Sequence, residues 1–152
     1  LGDNVVSRSE HMPWHDGPAL FGWLGAVNLP AVSSSGTSLP VQAVLRGPSG
    51  REARVRFLVD SGATYSLVPF EVWKDLELVP ARTVTTVLAD GTTVERDVSE
   101  CEFITEHGRG HSPVFLGEVG DHALFGVVTL EVLGLVLNPF TRSLHPMRML
   151  LA

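Results

Sequence analysis

The stretch that decides the fold is Arg54-Val55-Arg56-Phe57-Leu58-Val59-Asp60-Ser61-Gly62-Ala63-Thr64. Its first half alternates apolar and polar residues, which predicts a half-buried strand that leads directly into Asp60. A carboxylate at the mouth of a buried strand is desolvated unless groups donate to it, and Gly62 lets backbone N–H groups approach closely enough to donate. Asp60 is therefore the sharpest candidate for chemistry. The alternative is an aspartate that only starts a turn.

Hairpins are predicted on both sides of this stretch. Residues 41–45 are typical of a strand and residues 46–50 of a turn, so the chain reaches Asp60 from a first hairpin. A short helix is predicted over 69–76, with Pro69 at its first position. Two β-prone runs then flank Ala89-Asp90-Gly91, and Asp-Gly in that setting predicts a second hairpin with its tip at Asp90-Gly91.

The second half of the chain continues in short extended segments. Residues 101–105 alternate as a strand with one wet face, residues 108–110 are typical of a turn, and residues 114–116 predict a further strand. The block 123–135 predicts a buried strand, a glycine and a short helix that ends at Gly134. The remaining residues, to about Pro146, are expected in extended form.

Composition and charge narrow the class of protein. The chain has 152 residues, of which 44% are apolar, enough for a core of its own. The net charge of −6 argues against nucleic acid and anionic membrane surfaces as partners. Cys101 is a single cysteine and cannot form an intrachain disulfide, and six scattered histidines do not make a structural zinc site. With 15 glycines, 10 prolines and 7% aromatic residues, an all-β domain is the expectation.

The N-terminal part is expected to lie outside the compact domain. Residues 1–11 look like the remnant of an expression tag that ends before Met12. Residues 33–38 are small and polar, as in a loop or linker. We therefore expect a flexible N-terminal arm over residues 1–38 and one domain over residues 39–152.

Membrane insertion is not expected from this sequence. Its apolar runs are all shorter than the roughly 20 residues that span a bilayer. The apolar segment Ala19–Val27 could imitate a signal peptide, but no Lys or Arg lies between Met12 and that segment. A soluble, cytoplasmic protein is the expectation.

Two blocks of this sequence resemble the retropepsin-like aspartic proteases. The first, Phe57 to Thr64, looks like the active-site turn of that family. The second is Leu124-Phe125-Gly126 followed by the residues 129–135, similar to the family's hydrophobic-hydrophobic-glycine segment and the helix after it. Between them the hairpin with its tip at Asp90-Gly91 stands where the family has its flap. The resemblance covers roughly residues 39–146 and is closest to small prokaryotic single-domain members.

This resemblance implies a closed β-barrel of six to seven strands with a flap and one or two short helices. It also implies half of a catalytic site, since the sequence has no second copy of the Asp60 motif. Two chains would form a homodimer in which one Asp60 from each subunit faces the other. The pair would activate a water to hydrolyse an extended peptide or protein substrate, with no metal and no organic cofactor.

The resemblance also assigns roles to individual residues. Ser61 takes the position whose hydroxyl bonds across the two-fold axis, although a small turn residue would explain it too. Thr64 stands where viral members often have an acidic residue paired with an arginine, and here Val127 and Val128 follow the glycine, so that ion pair is absent. The implied site comprises catalytic Asp60, Ser61 and Gly62; substrate-binding Ala63, Thr64, Ala89, Asp90, Gly91 and Thr92; and a structural second block of Leu124, Phe125 and Gly126.

Three residues or segments outside this site have a simpler interpretation. Trp73 could line a pocket, but on a helix it is expected to pack against the core. The segment His107-Gly108-Arg109-Gly110-His111 could offer a weak metal pair, yet without a third ligand a solvated loop is favoured. Cys101 is expected to be a small buried hydrophobe.

Three functions are consistent with these observations. The leading hypothesis is an aspartic endopeptidase that works as a homodimer. The second is a retropepsin-like module that holds an extended peptide or a protein without hydrolysing it, because a fold does not fix a function. The third is a structural β domain in which Asp60 only caps a turn.

Overall fold

The computed structural model describes residues 39–151 and the backbone of a two-residue strand at Trp14–His15. The expected arm over residues 1–38 otherwise lies outside the described residues. The described elements, in chain order, are β1 (Trp14–His15), β2 (Pro40–Arg46), β3 (Glu52–Val59), β4 (Ser66–Val68), α1 (Phe70–Asp75), β5 (Arg82–Val87), β6 (Thr93–Thr105), β7 (Gly108–Leu116), β8 (Leu124–Phe125), α2 (Val127–Val132), β9 (Leu135–Asn138) and β10 (Ser143–Pro146).

Six of these strands pair in a closed ring. The order is β3, β2, β6, β7, β4 and β8, and β8 pairs back onto β3 in parallel through Leu58–Leu124 and Val59–Phe125. Strand β5 pairs with β6 outside the ring, and β1 pairs in parallel with β3 at Arg54 and Val55. The all-β expectation, with short helices and a closed sheet, is confirmed.

The core lies inside the ring and is formed by side chains that alternate along the strands. In β3 every second residue, from Ala53 to Val59, is buried, as the alternation predicted. Three phenylalanines from different strands meet at the centre, Phe57, Phe103 and Phe125, with ring centroids 5.5 to 5.6 Å apart. All three are fully buried. Truncating a buried phenylalanine to alanine commonly costs about 3–5 kcal/mol, so this cluster is a principal source of stability.

Both predicted hairpins form, and the first helix starts one residue later than expected. Strands β2 and β3 pair antiparallel through the turn at residues 47–50, and β5 pairs with β6 around the predicted tip. Pro69 is the N-cap residue of α1 rather than its first helical residue. The segment 101–105 is not a separate strand, because β6 runs without a break from the second hairpin to Thr105.

The turn predicted at residues 108–110 is wrong by two residues. The chain turns at Glu106-His107, and Gly108 to Gly110 already belong to β7. A Cβ atom on Gly110 would lie 2.7 Å from the Cγ1 atom of Val132. Gly110 therefore lies in close contact with α2 and does not mark a turn.

The C-terminal region ends as predicted, with one pairing that was not foreseen. Helix α2 is followed by Gly134 at φ +68°, the left-handed conformation that glycine adopts most easily. Beyond it, β9 and β10 pair with each other in an antiparallel hairpin. In the part of the chain that the structure describes, neither helix is long and apolar enough to cross a membrane.

Candidate active site

Asp60 lies where β3 leaves the ring, at the start of a tight turn over residues 60–64, called here the Asp60 turn. Its N–H donates to the carbonyl of Phe125 at 3.0 Å, and its own carbonyl accepts from the N–H of Ala63 at 3.1 Å. The N–H of Gly62 donates to Oδ1 of Asp60 at 2.9 Å, as the sequence predicted. Asp60 is half-buried while Ser61 and Gly62 are exposed. The turn therefore offers its carboxylate to solvent from a fixed backbone.

The two sequence blocks meet at this turn. Phe125 pairs with Val59, and Gly126 follows directly. A Cβ atom on Gly126 would lie 2.4 Å from the carbonyl carbon of Tyr65, so only a glycine fits there. The first N–H groups of α2 also bond to the turn, since Val127 donates to the carbonyl of Ala63 at 2.9 Å and Val128 to that of Thr64 at 3.0 Å. Backbone hydrogen bonds thus join Thr64 to the start of α2.

A chain of buried hydroxyls behind the turn was missed by sequence reasoning. Ser66 on β4, Thr129 on α2 and Ser112 on β7 are fully buried. Oγ1 of Thr129 lies 2.6 Å from Oγ of Ser66 and 2.9 Å from Oγ of Ser112. The N–H of Gly126 donates to Oγ of Ser66 at 2.9 Å. The available signal was that Ser112 lies in phase with buried Val114 on β7.

Tyr65 links the Asp60 turn to the base of the second hairpin. Its ring packs on Phe115, with centroids 5.3 Å apart, and its hydroxyl accepts a hydrogen bond from Nη2 of Arg82 at 3.0 Å. Arg82 is the first residue of β5. The hairpin therefore begins next to the turn that carries Asp60. Neither Tyr65 nor Arg82 was a candidate from the sequence.

The tip of the second hairpin, residues 88–92, is exposed and held by its own hydrogen bonds. Leu88 donates to the carbonyl of Thr92 at 2.8 Å, and Gly91 has a φ of +86°. Asp90 accepts from the hydroxyl of Thr92 at 2.6 Å and from its N–H at 2.9 Å. These two bonds, the hydroxyl first, lower the pKa of Asp90. Ala89, Asp90, Gly91 and Thr92 are thus presented together on a defined turn.

A loop over residues 117–121 is held between α1 and the second hairpin. Nη1 of Arg96, on β6, pairs with Oε1 of Glu118 at 2.9 Å, and Nη2 of Arg96 pairs with Asp121 at 3.3 Å. Nε1 of Trp73 donates to the carbonyl of Gly117 at 2.8 Å. A surface cavity of about 650 Å³ lies between these elements. Trp73 packs against the core, as predicted, and also lines this cavity.

The histidine segment and the cysteine lie apart from the Asp60 turn. His107 sits in the turn before β7 beside Glu106, and His111 lies on β7 beside Glu100. Across residues 39–151 no cluster of three or more His, Cys, Asp or Glu side chains is arranged to hold a metal ion. Cys101 is buried, as predicted, and burial raises the pKa of its thiol to about 12. The expected loop at 107–111 is wrong from Gly108 onward, because Gly108 to His111 belong to β7.

Comparisons of sequence find one protein-family model and one curated protein that are similar to this chain. Residues 41–107 match the family model described as aspartyl protease. Sulfate adenylyltransferase subunit 1 of Laribacter hongkongensis is 35% identical over 136 residues, with 70% of this chain covered. The chain spans only 25% of that protein.

Several solved protease structures are similar over most of the described region. The simian foamy virus protease has a TM-score of 0.45 at 22% identity, covering 61% of this chain and 92% of its own. The EIAV protease has a TM-score of 0.48 at 14% identity, covering 64% and 88%. A retropepsin-like aspartic protease from Rickettsia conorii has a TM-score of 0.39 at 15% identity, covering 62% and 81%.

The family match coincides with the candidate site. It begins in β2 and ends in the turn after β6, so it contains both the Asp60 turn and the tip of the second hairpin. Outside it, the Leu124-Phe125-Gly126 block is bonded to that turn. Over residues 41–107 the chain is therefore similar to the aspartyl protease family, as the resemblance seen in the sequence predicted.

Proposed function

We propose that this protein is an aspartic endopeptidase that works as a homodimer, with one Asp60 from each subunit at a shared site. The observation that carries the proposal is that the Asp60 carboxyl is held in a fixed position and is open to solvent. Its Oδ1 is fixed by the N–H of Gly62 at 2.9 Å, its backbone is tied to Phe125, and the turn around it is open to solvent.

The chemistry follows from bringing two such carboxyls together. Two carboxyls a few Å apart do not both ionise, so the pair holds one proton and titrates with two pKa values that belong to the pair. The ionised carboxylate takes a proton from a water as the water attacks the peptide carbonyl. The protonated partner polarises that carbonyl, and a proton then passes to the leaving amine. The Ser61 hydroxyl, exposed beside Asp60, would bond across the axis and join the two turns.

The second hairpin supplies the means of holding the substrate. Its tip, Ala89 to Thr92, is exposed, and at its base Arg82 bonds to Tyr65, the residue that follows the Asp60 turn. Such a hairpin can close over an extended peptide, exclude water and offer backbone hydrogen bonds to it. Ala63 and Thr64, at the end of the turn, would contact the peptide from the side opposite the hairpin.

The test is the Asp60→Asn variant, which keeps the shape of the side chain and removes its charge. We expect a folded protein with an unchanged melting temperature within a few degrees and a loss of peptide cleavage of about thousandfold or more. The matched control is Asp75→Asn, because Asp75 is an exposed carboxylate at the end of α1, paired with Arg51 at 3.6 Å. This control should cleave at the parent rate.

The same experiment separates the alternatives. Cleavage by Asp60→Asn at the parent rate would exclude the proposed mechanism. A parent protein that binds extended peptides but leaves them intact, with no difference between the parent and Asp60→Asn, would identify a binding module instead.

A further inference from the structure

We infer that Thr129 is a positioning residue for the Asp60 turn, acting through the buried chain of hydroxyls formed by Ser66, Thr129 and Ser112. The inference rests on the proposed function for its effect on catalysis. Its structural part stands on geometry alone. Thr129 has no contact with the Asp60 carboxyl, so any effect must pass through the backbone that it holds.

The direction of the hydroxyl chain follows from counting donors and acceptors. Oγ of Ser66 accepts from the N–H of Gly126 and lies 2.6 Å from Oγ1 of Thr129. Oγ of Ser112 lies 2.9 Å from Oγ1 of Thr129 and 3.3 Å from the carbonyl of Pro113, to which it can donate. Only one order uses every hydroxyl proton: Ser66 donates to Thr129, Thr129 to Ser112, and Ser112 to the carbonyl of Pro113.

Thr129 is the centre of this chain because its hydroxyl bonds to both serines. All three hydroxyls are fully buried, and a buried hydroxyl without a partner is costly. The three side chains come from β4, β7 and α2, so their mutual bonds fix the position of α2 relative to both strands. Loss of the middle hydroxyl would leave Ser66 without its acceptor and Ser112 without its donor.

The first turn of α2 in turn holds the Asp60 turn. Gly126 lies directly against the Tyr65–Ser66 peptide, and the N–H groups of Val127 and Val128 bond to Ala63 and Thr64. On the other side, the carbonyl of Phe125 accepts from the N–H of Asp60. A shift of α2 would therefore move both ends of the turn. Displacements of about 1 Å in a catalytic group can cost up to about a hundredfold in rate.

The experiment compares Thr129→Val with Thr129→Ser. Valine keeps the branched shape and removes the hydroxyl, whereas serine keeps the hydroxyl. We expect Thr129→Val to lower kcat by about tenfold with KM within about twofold, and Thr129→Ser to restore most of kcat. The acidic limb of its pH–rate profile should also move, because the two carboxyls of the pair no longer meet at the same distance.

The matched control is Ser99→Ala, which removes another buried hydroxyl. Oγ of Ser99 donates to the carbonyl of Val79 at 2.8 Å and takes no part in the chain of hydroxyls formed by Ser66, Thr129 and Ser112. This variant should lower the melting temperature by a similar amount and leave kcat and the pH profile unchanged. If Thr129→Val also keeps kcat within twofold of the parent, Thr129 is only a structural residue and the inference is wrong.

A second measurement does not depend on activity. Amide hydrogen exchange of Asp60, Gly126, Val127 and Val128 should be about tenfold faster in Thr129→Val than in Ser99→Ala. Unchanged exchange at these amides would overturn the inference. If the parent cleaves no peptide, the proposed function fails while the exchange result still decides the structural part. If Thr129→Val does not fold, Ser112→Ala replaces it, because this variant removes only the last hydroxyl of the buried chain of hydroxyls. We expect Ser112→Ala to show the same pattern more weakly. Parent-like exchange in Ser112→Ala would count against the inference.

Discussion

At the scale of single residues, two glycines are required for different reasons. Gly126 has an ordinary extended φ of −86°, and glycine is needed there because the backbone of Tyr65 and Ser66 occupies the space of a side chain. Gly50 has a φ of +84°, and a Cβ atom added to it would meet nothing within 4 Å, so glycine is favoured there only by backbone conformation. The contrast separates close packing at the site from ordinary turn geometry.

We predict that Gly126→Ala is among the most damaging single substitutions near the site. The new Cβ atom would meet backbone atoms at 2.4 to 2.7 Å, and backbone cannot move aside as a flexible side chain can. We expect a loss of about 3 kcal/mol in the free energy of unfolding, measured by urea denaturation. Gly50→Ala, the control, should lose only about 1 kcal/mol. Equal losses in the two variants would show that the close approach at Gly126 does not matter.

These residues also show what a sequence can predict. The Asp60 turn and the Asp-Gly tip were predictable because neighbouring residues along the chain specify them. The role of Ser66, Ser112 and Thr129 was not predictable, because their mutual hydrogen bonds form only where three elements meet in the folded protein. The turn expected at residues 108–110 is wrong for the same reason: Gly110 lies in a strand that contacts Val132, on a helix that follows later in the chain.

At the scale of elements, the second hairpin is attached to the rest of the molecule at two places. Near its base, Arg82 contacts Tyr65; higher along β6, Arg96 pairs with Glu118 and Asp121 of the 117–121 loop. Asp121 also accepts from the N–H of Glu118 at 2.8 Å, which keeps the loop folded. The side chain of Arg96 is only 16% exposed, whereas that of Glu118 is 75% exposed. The side chain of Asp121 is 28% exposed, so its bond to Arg96 is the better shielded of the two.

We predict that Arg96→Met loosens the hairpin without unfolding the protein. Methionine keeps the apolar stem and removes the charge, so stability should fall by less than about 1 kcal/mol, as is usual for ion pairs near the surface. Amide hydrogen exchange in residues 82–97 should become several-fold faster, and KM for a peptide should rise by about two- to fivefold.

The control for this variant is Arg109→Met, since Arg109 also forms an ion pair, with Glu102 at 2.6 Å, but near the turn at the other end of β6. Its exchange and KM should match those of the parent. Raising the salt concentration should reduce the difference between the parent and Arg96→Met, because exposed charges are screened. Identical exchange in the parent and Arg96→Met would show that the ion pair does not hold the hairpin.

At the scale of the whole molecule, one chain holds one Asp-Ser-Gly turn. The ring of six strands closes on itself and the core is complete, so residues 39–151 account for a fold without a second copy. The proposed chemistry nevertheless needs two carboxyls with different protonation. Residues 39–151 thus hold a closed fold but only half of the proposed site, which is why we propose a dimer, and in such a dimer activity would belong to the assembly.

The dimer can be tested by mixing active and inactive chains. We predict that a ninefold excess of Asp60→Asn, co-incubated with the parent until subunits have exchanged, lowers the rate per parent chain by about tenfold, because most parent chains then have an inactive partner. Dilution of the parent alone should also lower the specific rate once the dimer dissociates, and sedimentation should show the change in mass over the same range. The control is an equal excess of Asp60→Asn/Gly126→Ala, which should disturb the rate less because the added Cβ atom displaces the backbone beside the Asp60 turn. A rate strictly proportional to parent concentration and indifferent to added Asp60→Asn would mean that a single chain carries the whole activity, and the paired-carboxyl mechanism would have to be abandoned.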